Sequence, residues 1–207
     1  MALFDWIIAA IILLVLVYIS FVLTLVDWLV ALKKGQAVTL LPERKGRTWS
    51  LWTQVGTVIL GLALCVPLFY FLWVPLIRPS ITTGRILDLA GLAVYLAGCG
   101  FVLWARHTLG RMWGLSTSRN VKLRDDHQII QDGPYAFVRN PMYFGWWVAM
   151  AGLLLVYPTW VVLLFLAFSV FAFIGRARRE EAALVERFGE AWTEYKKHTK
   201  FLVPFIY

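Results

Sequence analysis

The side chains best suited to chemistry lie in two polar stretches of an otherwise greasy chain. The first runs from Arg106 to Asn140, holds Asn120, the pair Asp125-Asp126 and His127, and ends inside the turn-rich segment GPYAFVRNPMYFG, Gly133 to Gly145. The second begins at Arg176 and holds two adjacent carboxylates, Glu180 and Glu181. Gly133-Pro134 imposes a turn, and Pro141, which has no N–H, suits the first position of a helix. A helix start offers unpaired N–H groups to a ligand carboxylate or to ribose oxygens. Asn120, His127, Tyr135, Asn140, Tyr143, Arg176 and Glu180 add polar side chains around it. On chemistry alone the set describes a cradle for a polar ligand.

Several reaction classes do not fit the spacing. His127 has no second histidine nearby, and neither HExxH nor CxxC occurs, so no metal site is expected. A glycine-rich dinucleotide loop after a strand, a Walker motif and a GxSxG elbow are also missing. Cys65 and Cys99 sit in apolar runs and read as small buried hydrophobes rather than a disulfide.

The elements that must position these residues are membrane helices. Hydrophobic residues make up 60% of the 207 positions and charged residues 15%, against about 25% charged in soluble domains. The eleven Trp and eight Tyr suit the water–lipid interface. The first apolar run is Trp6–Leu32, the second Leu51–Ile77 with a kink expected at Pro67, and the third Ile86–Ala105, opened by a Thr-Thr-Gly turn. Gly91, Gly98 and Gly100 would let a neighbouring helix come close. Two shorter runs, Tyr143–Tyr157 and Thr159–Gly175, flank Pro158 and read as a tight helical hairpin that crosses and returns; a single re-entrant hairpin is the competing reading. From Arg176 an amphipathic helix follows, with Ala183, Leu184, Phe188, Ala191, Trp192 and Tyr195 on its apolar face and a break at Gly189. That face would lie on the membrane or on the polar connector, and the terminal FLVPFIY would tuck onto protein or lipid.

The expected fold is therefore an all-α integral membrane protein of about five transmembrane helices. The last two form the hairpin, joined by a cytosolic connector and followed by the amphipathic carboxyl-terminal helix. Residues 1–207 form one domain, with three spans in 1–105 and the connector, hairpin and tail in 106–207. Eighteen of the twenty Lys and Arg fall in the three segments that five spans would put on one face; only Arg78 and Arg85 fall on the other. The positive-inside rule makes the rich face cytoplasmic, with the amino terminus outside. The net charge of +8 and pI of 9.7 then reflect that bias and anionic headgroups, not nucleic acid. The partners expected are membrane lipids and a lipophilic substrate, without metal.

The order of motifs carries a resemblance. HQII leads into GPYAFVRNPMYFGWW, and the far end reads R-x-x-x-E-E, F-G-E-x-x-x-x-Y-K-K, then V-P-F-I. From about Asn120 to Ile206 this is similar to the isoprenylcysteine carboxyl methyltransferase family, which shares its architecture with phospholipid N-methyltransferases. The resemblance implies a multi-span, S-adenosylmethionine-dependent methyltransferase without a Rossmann domain. Carried over by position, Asn120, the run His127, Gln128, Ile129 and Ile130, and Tyr135, Asn140, Pro141, Met142, Tyr143 and Glu180 would line the cofactor. Arg176 would face the substrate, and Arg176 and Glu180 would serve the reaction. Asn140 stands where the family usually has His and cannot carry a proton; Asn120 replaces a longer Gln.

The reaction implied is methyl transfer to a lipophilic acceptor entering from the bilayer, with carboxyl methylation of an isoprenylcysteine-like substrate as the leading form. A phospholipid or other lipophilic amine or thiol methyltransferase, an NADPH-dependent reductase and a non-catalytic scaffold are the alternatives. Each residue also has a plain structural reading. Tyr135 and Tyr143 suit an interface belt, and Trp146 and Trp147 a belt or packing role. Arg176 and Glu180 suit a helix ion pair, and Arg139 an anchor to a lipid phosphate.

Overall fold

The computed structural model describes residues 2–23, 25–26, isolated positions between 56 and 67, residues 70–77, 79–112 and 128–204. The basic loop after the first apolar run, most of the second run, including the residues on either side of Pro67 where a kink is expected, and the connector stretch holding Asn120 and His127 lie outside the described residues. Within them the regular structure is helical. α1 spans Ala2–Val17 and continues as a π-helical turn through Val22. α2 spans Ile81–Leu109, α3 Pro141–Val156, α4 Trp160–Phe188 and α5 Glu190–His198. Two β-bridges outside any named strand join Pro75 to Thr159 and Val138 to Lys200.

Among the described residues two helices, Ile81–Leu109 and Trp160–Phe188, are long and apolar enough to cross a membrane, and Leu3–Val17 and Pro141–Val156 are shorter apolar helices. Large hydrophobic side chains stand out from them: Phe168 is 69% exposed and Phe171 77%, with Leu14, Ile86 and Leu89 also exposed. Water would penalise such a surface, whereas a hydrocarbon solvent would not.

The tightest packing joins α2 to α3. A Cβ on Gly91 would lie 2.7 Å from the carbonyl oxygen of Gly152, and one on Gly98 2.7 Å from that of Gly145. The two backbones therefore touch along a seam of small residues, completed by Ala149. Gly100 meets nothing within 4 Å, so of the three expected packing glycines it faces away. α1 joins this core through Ile8 and Ile12, which pack with Tyr95, Cys99, Ala149 and Val156. The buried Tyr95 hydroxyl donates to the carbonyl of Ile12 at 3.1 Å.

Helix ends differ from the expected ones for local reasons. Ser80 caps α2, accepting from the Thr83 N–H at 3.3 Å. Thr82, Thr83 and Gly84 are thus the first turn of the helix, not a turn before it. The fifth apolar run and the charged tail are one continuous helix, α4, because no breaker occurs between Gly175 and Phe188. The break comes at Gly189, where φ is +51°, a left-handed conformation that glycine adopts without strain. α3 and α4 form the expected hairpin, joined through Tyr157–Thr159. At that end the chain before α2 pairs with the hairpin turn: Leu76 donates to Pro158 at 2.7 Å and Trp160 to Val74 at 3.1 Å.

Candidate functional site

The opposite end of the bundle gathers the end of α2, the start of α3, the charged half of α4, α5 and the tail. Gly133 begins a 3-10 turn, Gly133–Ala136, with φ at +57°. A Cβ there would sit 2.9 Å from Thr108 Oγ1 near the end of α2. Both conformation and space therefore demand glycine. Pro134 and Tyr135 are buried behind it. The chain then runs beside the tail: Arg139 N–H donates to the Lys200 carbonyl at 2.8 Å, and Lys200 N–H to Phe137 at 3.1 Å.

α3 starts at Pro141, and its cap residue Asn140 makes no side-chain cap bond. The Asn140 amide donates instead to the Phe201 carbonyl, 3.0 Å, and to Glu181 Oε1, 3.4 Å. One turn on, the Tyr143 hydroxyl reaches both oxygens of Glu180, at 3.0 and 2.9 Å. Arg176 Nε donates to Glu180 Oε1 at 2.9 Å. The Tyr143 ring stacks on Phe173, 5.0 Å between centroids, with Trp147 on the same ring at 6.5 Å. Tyr143, Arg176 and Glu180, separated in sequence by most of the hairpin, thus form one cluster on facing helices.

A second cluster lies beside it. Arg139 Nε donates to Glu181 Oε1 at 2.6 Å, and both side chains are largely buried. The same guanidinium donates to the carbonyls of Thr199 and Lys196. Arg139 is therefore not a headgroup anchor: its charge is spent inside the protein. The apolar face of the tail helix lies on the polar connector. Trp192 and Tyr195 are buried, and the Tyr195 hydroxyl donates to the Tyr135 carbonyl at 2.7 Å. Burial first, then Tyr195 and Glu180 nearby, hold the Tyr135 phenol above its ordinary value. Burial raises Tyr195 likewise, with Arg139 and Thr199 pulling partly the other way. Phe201 and Leu202 tuck onto protein, against Ala177, Tyr143, Trp147 and Ile174.

Of the expected cofactor residues, Asn120 and His127 lie outside the described residues. Gln128 is exposed, and Ile129 and Ile130 are half-buried, in irregular chain leading to the Gly133 turn. Met142 is half-buried in the first turn of α3 beside the buried Pro141. The plain readings hold in two places: Arg176 and Glu180 do form an i,i+4 pair, and Trp147 packs. The sequence reading missed Phe173, although it lies three residues before Arg176 and seven before Glu180, on one face of a 3.6-residue helix.

The family model for the isoprenylcysteine carboxyl methyltransferase family matches residues 91–186, from the α2 glycine seam to just past Glu181. Proteins described as protein-S-isoprenylcysteine O-methyltransferase are similar to part of the chain. That of Saccharomyces cerevisiae is 34% identical over 105 residues, 49% of this chain and 42% of its own length. Those of Homo sapiens and Xenopus laevis are 34% and 38% identical over 40% of this chain and 29% of their own. The matched stretch thus spans less than half of each relative. A solved structure of the eukaryotic intramembrane Ras methyltransferase, isoprenylcysteine carboxyl methyltransferase, superposes on 78% of this chain and 55% of that one. Its TM-score is 0.50 at 21% identity, which shows a shared fold. Through residues 91–186 and the helical framework that carries them, the chain is similar to the isoprenylcysteine carboxyl methyltransferase family.

Proposed function

We propose that this protein is an S-adenosylmethionine-dependent methyltransferase that methylates the carboxylate of an isoprenylcysteine-like lipid. The observation that carries the reading is the Tyr143–Glu180–Arg176 cluster, built where the polar end of α3 meets α4, on a helix that also bears exposed apolar side chains. The residues present suit the cofactor. No side chain caps the start of α3, and that end attracts a carboxylate. Glu180 offers a negative charge, and the rings of Tyr143, Phe173 and Trp147 offer π faces; both favour a cation. S-adenosylmethionine, when bound, supplies a methyl group on a positively charged sulfur.

The chain's own task is positioning, worth about 7 kcal/mol or more in well-oriented reactions. Tyr143 and Arg176 fix the Glu180 carboxylate from two sides. Arg176, at the edge of the cluster with 43% of its side chain exposed, aligns an incoming carboxylate through parallel hydrogen bonds. Neither glutamate is an unengaged base: Glu180 holds Tyr143 and Arg176, and Glu181 holds Arg139 and Asn140. An amine or thiol would have to lose a proton, whereas a carboxylate is already a nucleophile at neutral pH. The carboxylate acceptor is therefore the better fit. The protein is read as multi-pass, with about five spans, this end facing the cytoplasm and the amino terminus outside, on the distribution of Lys and Arg.

The test is direct. Purified protein in nanodiscs receives a labelled methyl donor and, in separate arms, an S-prenylated cysteine, an amine-headgroup phospholipid and a lipophilic thiol. Base-labile label on the prenylcysteine supports the proposal. Label on the amine lipid alone would move the protein to the phospholipid class, and no transfer in any arm would remove the methyltransferase reading.

A further inference from the structure

We infer that the adjacent glutamates divide the work, Glu180 serving the reacting site and Glu181 acting as a positioning residue that latches the tail onto the start of α3. The inference rests on the methyl-transfer reading of the Glu180 cluster. Successive residues of a helix point about 100° apart, so neighbouring glutamates on α4 face different neighbours. Glu180 faces Tyr143 and Arg176. Glu181 faces Arg139, with Lys196 at 3.8 Å on its outer oxygen.

Arg139 ties four pieces of chain with one side chain. It sits two residues before α3, bonds Glu181 on α4, and donates to Lys196 on α5 and to Thr199 in the tail. Asn140 adds a second tie, to Phe201. The backbone bonds between Arg139 and Lys200 and between Lys200 and Phe137 complete the latch. With these in place Phe201 and Leu202 close against Tyr143 and Trp147. A buried ion pair that loses one partner leaves the other charge stranded, so the latch should open as a unit. A site competent only when latched binds its ligand more weakly by the fraction of molecules that remain latched.

The arrangement also gives a physical account of Asn140. Its amide donates to a tail carbonyl and to Glu181 at once, a task for two N–H groups on one nitrogen rather than for a proton carrier.

Amide hydrogen exchange and S-adenosylhomocysteine titration calorimetry test this together, on wild type, Glu181→Ala, Glu181→Gln and Glu180→Ala. For Glu181→Ala the amides of Arg139 and Lys200 should exchange faster, those of α2 and α3 should not, and the ligand should bind about tenfold more weakly or worse. Glu181→Gln keeps an acceptor for Arg139 and Asn140 and should recover part of both. Glu180→Ala should weaken binding without faster exchange at Arg139 and Lys200. Should Glu181→Ala not fold, Arg139→Lys, which cannot reproduce the planar fork, carries the same comparison. Weakened binding with unchanged exchange would put Glu181 on the ligand and overturn the latch, as would binding that ignores Glu181. A wild type that binds no S-adenosylhomocysteine would overturn the methyltransferase reading itself, and the positioning role with it.

Discussion

The phenol of Tyr143 donates to both oxygens of Glu180, at 3.0 and 2.9 Å, across the seam between α3 and α4. The contact links the turn-rich segment to the charged half of the last long helix, two stretches nearly forty residues apart in the chain. It also decides how far Glu180 can swing. Removing the hydroxyl while keeping the ring isolates that restraint. Tyr143→Phe retains the stack on Phe173 and should weaken S-adenosylhomocysteine binding about tenfold, since a hydrogen bond to a charged group contributes about 1.5–3 kcal/mol. Calorimetry in detergent measures it. Unaltered binding would show that Glu180 holds its place without Tyr143.

Arg176 is proposed to face the acceptor. Arg176→Ala should raise the acceptor KM more than it raises the S-adenosylhomocysteine Kd, because Tyr143 still holds Glu180. Arg176→Lys keeps the charge but not the paired donors and should fall between. Initial rates against prenylcysteine concentration, set beside cofactor-site titrations, separate the two effects. Equal losses in both would assign Arg176 to the cofactor side.

The glycine seam yields a paired comparison. Gly98→Leu drives a branched side chain into the backbone of α3, whereas Gly100→Ala points into open space. Overpacking a close contact costs about 1–3 kcal/mol or more. The first variant should melt lower and the second should match wild type or exceed it slightly, since alanine is the better helix former. Thermal unfolding in one detergent suffices. A normal melting point for Gly98→Leu would mean that α2 and α3 can separate.

Much of this was legible in the sequence, for identifiable reasons. Periodicity and the breakers Pro158 and Gly189 mark the hairpin and the end of α4. Gly133-Pro134 marks a turn because a positive φ followed by a fixed one has few alternatives. Arg139 could not be placed: a lone arginine at a membrane boundary looks the same whether it meets lipid phosphate or Glu181, and the difference depends on a partner on another helix. The division between Glu180 and Glu181 was hidden for the same reason. The continuity of α4 past Gly175 was hidden because hydropathy changes there while the backbone does not.

Alkaline pH supplies the last prediction. Tyr135 and Tyr195 are held above the free phenol value of 10.0 chiefly by burial. A group whose folded pKa exceeds its unfolded value contributes stability that is complete below the unfolded pKa. That stability is lost as pH rises through the folded pKa, because the unfolded chain releases the proton first. The melting temperature of the wild type should therefore lose support from these two groups only above the free phenol value. Tyr195→Phe removes one titrating group and the bond to the Tyr135 carbonyl. It should melt lower than wild type at neutral pH, yet decline less steeply across the alkaline range. Melting curves of both proteins over that range measure the difference in slope. Parallel curves would mean that Tyr195 ionises alike in the folded and unfolded chain, and that the tail helix does not seal it from water.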